Sequence, residues 1–149
     1  MRKLVVFTCL ISIAAIGCNQ NQSAKSTKAS DTTARECYNS TVAKDSAALE
    51  LYTVNKKITG KLHLMFAKKQ HMNGEISGVF KGDTLYGDYI YTLGKGKETF
   101  KNPVAFLKKD GKLYQGYGEL LTQYGRTFFD NKVPIDFDKG FVFEPIACK

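Results

Sequence analysis

The chain is 149 residues long, enough for one domain, and its 43% apolar and 24% charged residues are those of an ordinary globular protein. Its formal charge is +8, or +6 once Arg2 and Lys3 leave with an N-terminal leader. The lysines are scattered and sit mostly at turns (Lys56, Lys57, Lys68, Lys69, Lys81, Lys108, Lys109), with no arginine cluster, basic helix stripe or recognition motif, so nucleic acid is not an expected partner. A solvated basic surface accounts for them; a surface for anionic lipid, glycan or an acidic partner is the reading that stays open.

Residues 1–18 read MRKLVVFTCLISIAAIGC. Arg2 and Lys3 form a positive n-region, and residues 4–16 form an apolar stretch too short to span a bilayer comfortably. The stretch closes on Ala15-Ile16-Gly17-Cys18, which resembles the lipobox of bacterial lipoprotein signal peptides, with Ala15 where leucine is commonest. The resemblance implies that residues 1–17 are removed and that Cys18 carries a diacylglyceryl group as the new N-terminus. Acyl chains would then hold the protein on the membrane, each buried CH₂ adding about 0.8 kcal/mol. The alternative is a plain secretory signal with a coincidental cysteine. Asn19 follows, and no acidic residue or acidic run comes after the cysteine. The same resemblance then implies an outer-membrane lipoprotein on the periplasmic face, with the cell surface as the other option.

Residues 19–35, NQNQSAKSTKASDTTAR, contain no aromatic residue and no branched aliphatic one, so they cannot build a core. Together with Cys18 they read as a flexible tether, residues 18–35, with a root-mean-square span of roughly 20–25 Å. The folded domain is expected over residues 36–149.

Within it, short strands follow one another. Residues 48–54 alternate apolar and polar, although residues 44–50 also admit a helical turn. Residues 58–66 alternate cleanly, with Ile58, Gly60, Leu62, Leu64 and Phe66 on one face. Asn73-Gly74 is expected to form a I′ turn. Residues 74–93 read as a hairpin about Gly82-Asp83, where a leading glycine suits a II′ turn. Residues 100–108 form a strand with Pro103 near its start, and Asp110-Gly111 is the strongest hairpin signal in the chain. Residues 112–123 continue as one strand, and residues 126–130 and 140–144 supply the last short ones.

Eight or nine short antiparallel strands rarely form an open flat sheet, and closure removes exposed edges. The expected fold is all-β: an up-and-down meander closing into a small eight-stranded barrel of lipocalin- or avidin-like architecture, with a two-sheet sandwich as the alternative. Glycines inside the strands (Gly60, Gly78, Gly87, Gly116, Gly118) suit tight coiling.

Cys9 lies in the leader and Cys18 is the lipid site, which leaves Cys37 and Cys148 at the two ends of the domain. In an oxidising compartment these two are expected to form a disulfide, which makes the first and last strands neighbours. Two cysteines with His63 and His71 distant in sequence match no compact zinc spacing, so no metal is expected.

The order of motifs resembles a family of small uncharacterised lipoproteins of Bacteroidetes-type Gram-negative bacteria. The lipobox is followed by Cys37-Tyr38, Ile58-Thr59-Gly60-Lys61-Leu62, Asn73-Gly74 and Gly82-Asp83-Thr84-Leu85. Asp88-Tyr89, Val104-Ala105-Phe106, Gly116-Tyr117-Gly118-Glu119 and Cys148 complete the series. The resemblance covers residues 37–148 and implies no activity.

No nucleophile motif such as G-x-S-x-G and no phosphate-binding glycine loop is present, and His63 is expected on an exposed strand face. Glu75, Asp88 and Glu119 lie in strands, where carboxylates are mostly solvated. No catalytic residue and no cofactor is therefore expected. The one constellation that points to a ligand is aromatic: Tyr89, Tyr91 and Tyr117, sharing a face with Gln115 and Glu119. The functional expectation is a non-catalytic binding module for a small apolar or aromatic ligand or an envelope protein. The alternative is an inhibitor of a lysozyme or protease acting through the loops at residues 68–73 and 94–97.

Overall fold

The computed structural model describes residues 34–149; the leader, the lipobox with Cys18 and residues 19–33 of the tether lie outside the described residues. Ten strands follow one another: β1 (Ala34–Val42), β2 (Asp45–Val54), β3 (Lys57–Met65), β4 (Met72–Lys81), β5 (Thr84–Leu93), β6 (Thr99–Lys109), β7 (Lys112–Gly116), β8 (Leu120–Gln123), β9 (Arg126–Phe129) and β10 (Val142–Ile146). The stretch that also admitted a helical turn is the start of β2. β1 begins two residues before the domain boundary read from composition, so Ala34 and Arg35 belong to the barrel rather than the tether.

Eight strands close into an antiparallel barrel in the order β1-β10-β7-β6-β5-β4-β3-β2. β8 and β9 stand apart as a two-stranded hairpin inserted between β7 and β10. The up-and-down barrel is thus present, and the sandwich is not.

Period two explains the closure. In β3, Ile58, Leu62 and Leu64 are buried while Lys57, Lys61 and Met65 face out. β5 buries Leu85, Tyr89 and Tyr91 and exposes Tyr86 and Ile90. The inward residues fill the lumen: Leu49, Leu51, Leu62, Phe106, Leu113 and Phe143 are completely enclosed. An eight-stranded barrel is just wide enough for its own side chains to occupy, and here they do. Inward glycines stand where a side chain would not fit. Gly78 and Gly87 face each other across β4 and β5, and a Cβ on Gly78 would lie 2.8 Å from the Gly87 Cα.

The turns follow from backbone chemistry. Gly82 has φ 60° while Asp83 stays out of the left-handed region, the II′ arrangement. Asp110 and Gly111 are both left-handed, at 52° and 76°, which is the I′ arrangement. Asn55 and Lys56 adopt it too, at 49° and 66°, without the glycine that would announce it. The expected I′ turn at Asn73-Gly74 is corrected: both residues lie inside β4, opposite His63 and Leu62. Glycine is needed at position 74 for close packing, since a Cβ there would meet the Tyr91 Cα at 2.6 Å.

The barrel is narrowest in pairing at one seam. β10 meets β1 only through residues 144–146 opposite 37–39, and β7 only through Val142 opposite Tyr114 and Phe143 opposite Leu113. The Cys37–Cys148 disulfide lies across this seam, as expected from the cysteine count, with its Cα atoms 5.3 Å apart.

Candidate functional site

The single strand expected over residues 112–123 is broken at residues 117–119, and the break creates the site. After Gly116 the chain leaves the barrel. The Tyr117 N–H donates to the Asp136 carbonyl (2.8 Å), the Asp136 N–H donates back (2.7 Å), and the Asp130 N–H reaches the Glu119 carbonyl (2.8 Å). Residues 117–136 are therefore an antiparallel arm that ends in the β8–β9 hairpin. Its turn places Tyr124 and Gly125 in the left-handed region, at 51° and 72°.

Small residues let the arm lie against the wall. A Cβ on Gly116 would come within 2.6 Å of the Phe137 ring and would also meet Ile135. A Cβ on Gly118 would sit 2.9 Å from the Phe129 ring. These two glycines, read from sequence as aids to barrel coiling, instead serve the arm: Gly116 seats it on the wall and Gly118 lets it fold closely on itself. The return to β10 is shaped by Asp136, whose carboxylate pairs with Lys139 (2.7 Å) and accepts from the Asp138 N–H (2.9 Å). The Lys139 bond, then the Asp138 bond, holds Asp136 below the usual carboxylate range.

Between arm and wall runs an open groove of about 1420 Å³. Its floor is part of a cross-strand row on the barrel's outer face: Lys57, Val79 and Tyr86 stand opposite one another in register across β3 to β5, and the row runs on, buried, through Ala105 and Gly116. At the covered end the residues are small. Towards the open end they are large and apolar, with Val79 44% and Tyr86 37% exposed. The facing bank is the hairpin, which carries Phe128 (40% exposed) and Tyr124 (96% exposed). Exposed apolar side chains gathered in one concavity mark a contact surface rather than ordinary surface scatter.

Charge is uneven. Lys56, Lys57 and Lys81 line the wall side and Arg126 the arm. The Lys81 ammonium lies 5.8 Å from the centre of the Tyr86 ring. The two carboxylates of the groove are engaged: Asp88 pairs with Lys101 (2.9 Å), and Asp130 accepts from the Lys132 N–H (2.9 Å).

The residues singled out from sequence do not converge. Tyr89 and Tyr91 are in the lumen, their rings stacked 4.8 Å apart. The Tyr89 hydroxyl donates to the Leu62 carbonyl (2.9 Å), and Asn102 Nδ2 donates to the Tyr91 hydroxyl (3.2 Å). Gln115 points into the lumen, whereas Tyr117 is 48% exposed on the arm and Glu119 is exposed there. The shared face was drawn by extending β7 past the point where the chain departs. His63 is half-buried, with Nδ1 2.8 Å from Asn73 Oδ1, and His71 is exposed just before β4. Glu75 is exposed. The loops at residues 68–73 and 94–97 meet at one barrel end, where the Gly94 N–H donates to the His71 carbonyl (2.8 Å). Among the described residues no three His, Cys, Asp or Glu side chains gather into a metal-holding group.

The groove itself was missed. Its signals were apolar residues in the outward phase of β4 and β5, Val79 and Tyr86, and paired apolar residues on both faces of one segment, Leu120-Leu121 and Phe128-Phe129. Comparison of the chain with family models, with curated proteins and with solved structures finds no match in any of the three.

Proposed function

We propose that this protein is a non-catalytic binding module, anchored at the outer membrane through Cys18, that takes its partner in the external groove rather than in the lumen. The observation that carries the reading is the contrast between the two. The lumen is filled by the chain's own side chains, while the groove presents Val79, Tyr86, Phe128 and Tyr124 to solvent beneath a positively charged rim. A carrier of the hollow-barrel kind would need the reverse. The anchoring part rests on the lipobox resemblance of residues 15–18, and a tether would leave the groove free to meet partners in the envelope.

The test is site-specific photocrosslinking in the lipidated protein on its own cells. A crosslinking side chain at Val79 or Phe128 is expected to give adducts, and one at Lys61 on β3, outside the groove, is not. Equal labelling from Lys61, or none from the groove, overturns the reading. Cys18→Ser is expected to move the protein from the membrane to the soluble fraction, and retention on the membrane would remove the anchor.

One observation favours a second reading, inhibition of an envelope-degrading enzyme such as a lysozyme or protease. The β8–β9 turn holds Tyr124 almost fully in solvent next to Arg126, a shape suited to entering a cleft. Unchanged lytic and proteolytic rates at micromolar excess of the protein would sink it.

A further inference from the structure

We infer that the groove's occupant is an acidic polypeptide segment in extended conformation, its apolar side chains on the Val79–Tyr86 floor and its carboxylates against the cations of the banks. This rests on the groove being the binding site, as proposed above. Charge complementarity is the first argument. Among the described residues, Lys56, Lys57, Lys81 and Arg126 form no salt bridge, while Asp88 and Asp130 already have partners. The groove therefore offers four cations outside any salt bridge against one carboxylate, Asp130, held only by a backbone N–H, a net positive field that draws in an anion and repels a cation. A second copy of the chain is disfavoured by the same arithmetic, since each copy without the leader carries a formal +6.

Size and shape choose among anions. The groove's 1420 Å³ exceeds the roughly 300–1,000 Å³ of small-molecule sites. It is concave, so a flat bilayer would reach the rim and leave Val79 and Tyr86 uncovered. A glycan would ask the floor for polar partners, and the floor presents Val79 and Tyr86, with Ser77 in the row beside them, while the other neutral polar lining residues, Asn55, Gln123, Thr127 and Asn131, stand on the β2–β3 turn and the arm. An extended peptide meets every feature. Its side chains alternate, so one set can rest on apolar residues while flanking acidic ones reach cations on either bank.

The test uses the oxidised chain of residues 19–149, which contains the whole barrel, as target for a phage-displayed library of random short peptides. Enriched sequences are expected to combine aspartate or glutamate with an aromatic or aliphatic residue. Fluorescence anisotropy on the synthesised peptides is expected to show binding weakened about tenfold or more by the triple reversal Lys57→Glu, Lys81→Glu, Arg126→Glu, and weakened by high salt. All three side chains are exposed, so an unchanged melting temperature is the control for folding. Neutral or basic peptides that ignore the reversal but are lost with Tyr86→Ser would overturn the acidic partner and leave the groove standing. Peptides indifferent to both variants, or no enrichment, would overturn both. Vesicles of phosphatidylglycerol run alongside are expected not to bind; binding that depends on the three cations, with no peptide enriched, would assign the groove to a membrane surface instead.

Discussion

Tyr89 shows how much one residue does in a filled barrel. Its ring stacks on Tyr91 and its hydroxyl meets a carbonyl two strands away, so the phenol is buried and satisfied at once. Tyr89→Phe keeps the ring and removes one hydrogen bond, with an expected loss of about 0.5–1.5 kcal/mol in urea denaturation. Burial also raises the hydroxyl pKa of Tyr89, with a smaller contribution from Tyr91. It pushes Tyr38 up to about 12, with help from the charge and hydrogen bond of Glu36. Both shifts favour the neutral phenol in the folded state. Their stabilisation is fully present below the unfolded value near 10, and is lost as pH rises from about 10 through about 12, because the unfolded chain releases its protons first. The melting temperature is therefore expected to hold to about pH 9 and fall beyond 10. In the double variant Tyr38→Phe, Tyr89→Phe that alkaline fall should be shallower; a fall as steep as the parent's would show that other groups cause it.

At the scale of elements, the barrel strands were legible from sequence and the arm was not, for one physical reason. A strand with one buried face must alternate, and β3 and β5 do so along their length. The arm has no buried face of that kind. Both strands of its hairpin carry apolar residues in both phases, Leu120 with Leu121 and Phe128 with Phe129, and β8 is exposed throughout. Its position depends on close packing at two glycines, Gly116 beneath it and Gly118 within it, whose role local pattern does not reveal. The cysteine pairing was legible because, with Cys9 read into the leader and Cys18 into the lipobox, counting leaves one choice. The aromatic site was not, because Tyr117 changes sides when β7 ends. A two-stranded ribbon is marginal alone, so the arm is expected to respond to its seat. Gly116→Val would place side-chain atoms where Ile135 and Phe137 now lie. The expected result is a loss of about 1–3 kcal/mol, the range for overfilling a tight site, with faster amide exchange confined to residues 117–137. Uniformly faster exchange would mean that arm and barrel unfold as one unit.

The whole molecule is a meander whose first and last strands must meet, and the last strand is held by two short joins, to β1 and to β7. β4 and β5 pair from Met72 opposite Leu93 to Lys81 opposite Thr84, while β1 and β10 share only residues 37–39 against 144–146. Pairing that short, between segments this distant in sequence, gains few hydrogen bonds against the entropy of closing the ring. The Cys37–Cys148 bond spans 111 residues, so it removes much of that entropy from the unfolded chain. In the chain-entropy account its loss costs about 4–5 kcal/mol, a large share of what a domain of this size has. Cys37→Ser with Cys148→Ser is therefore expected to lower the urea midpoint strongly and to raise exchange first in β1 and β10. Buffer containing a strong thiol reductant should reproduce the shift in the parent and leave the variant unmoved. Because the groove is framed by the β2–β3 turn, β3 to β6 and the arm, away from β1, its cations and floor should keep their arrangement in whatever fraction stays folded. Peptide affinity measured per folded molecule is then expected to be unchanged, and a parallel loss of affinity would mean that the ring's closure holds the arm on the wall.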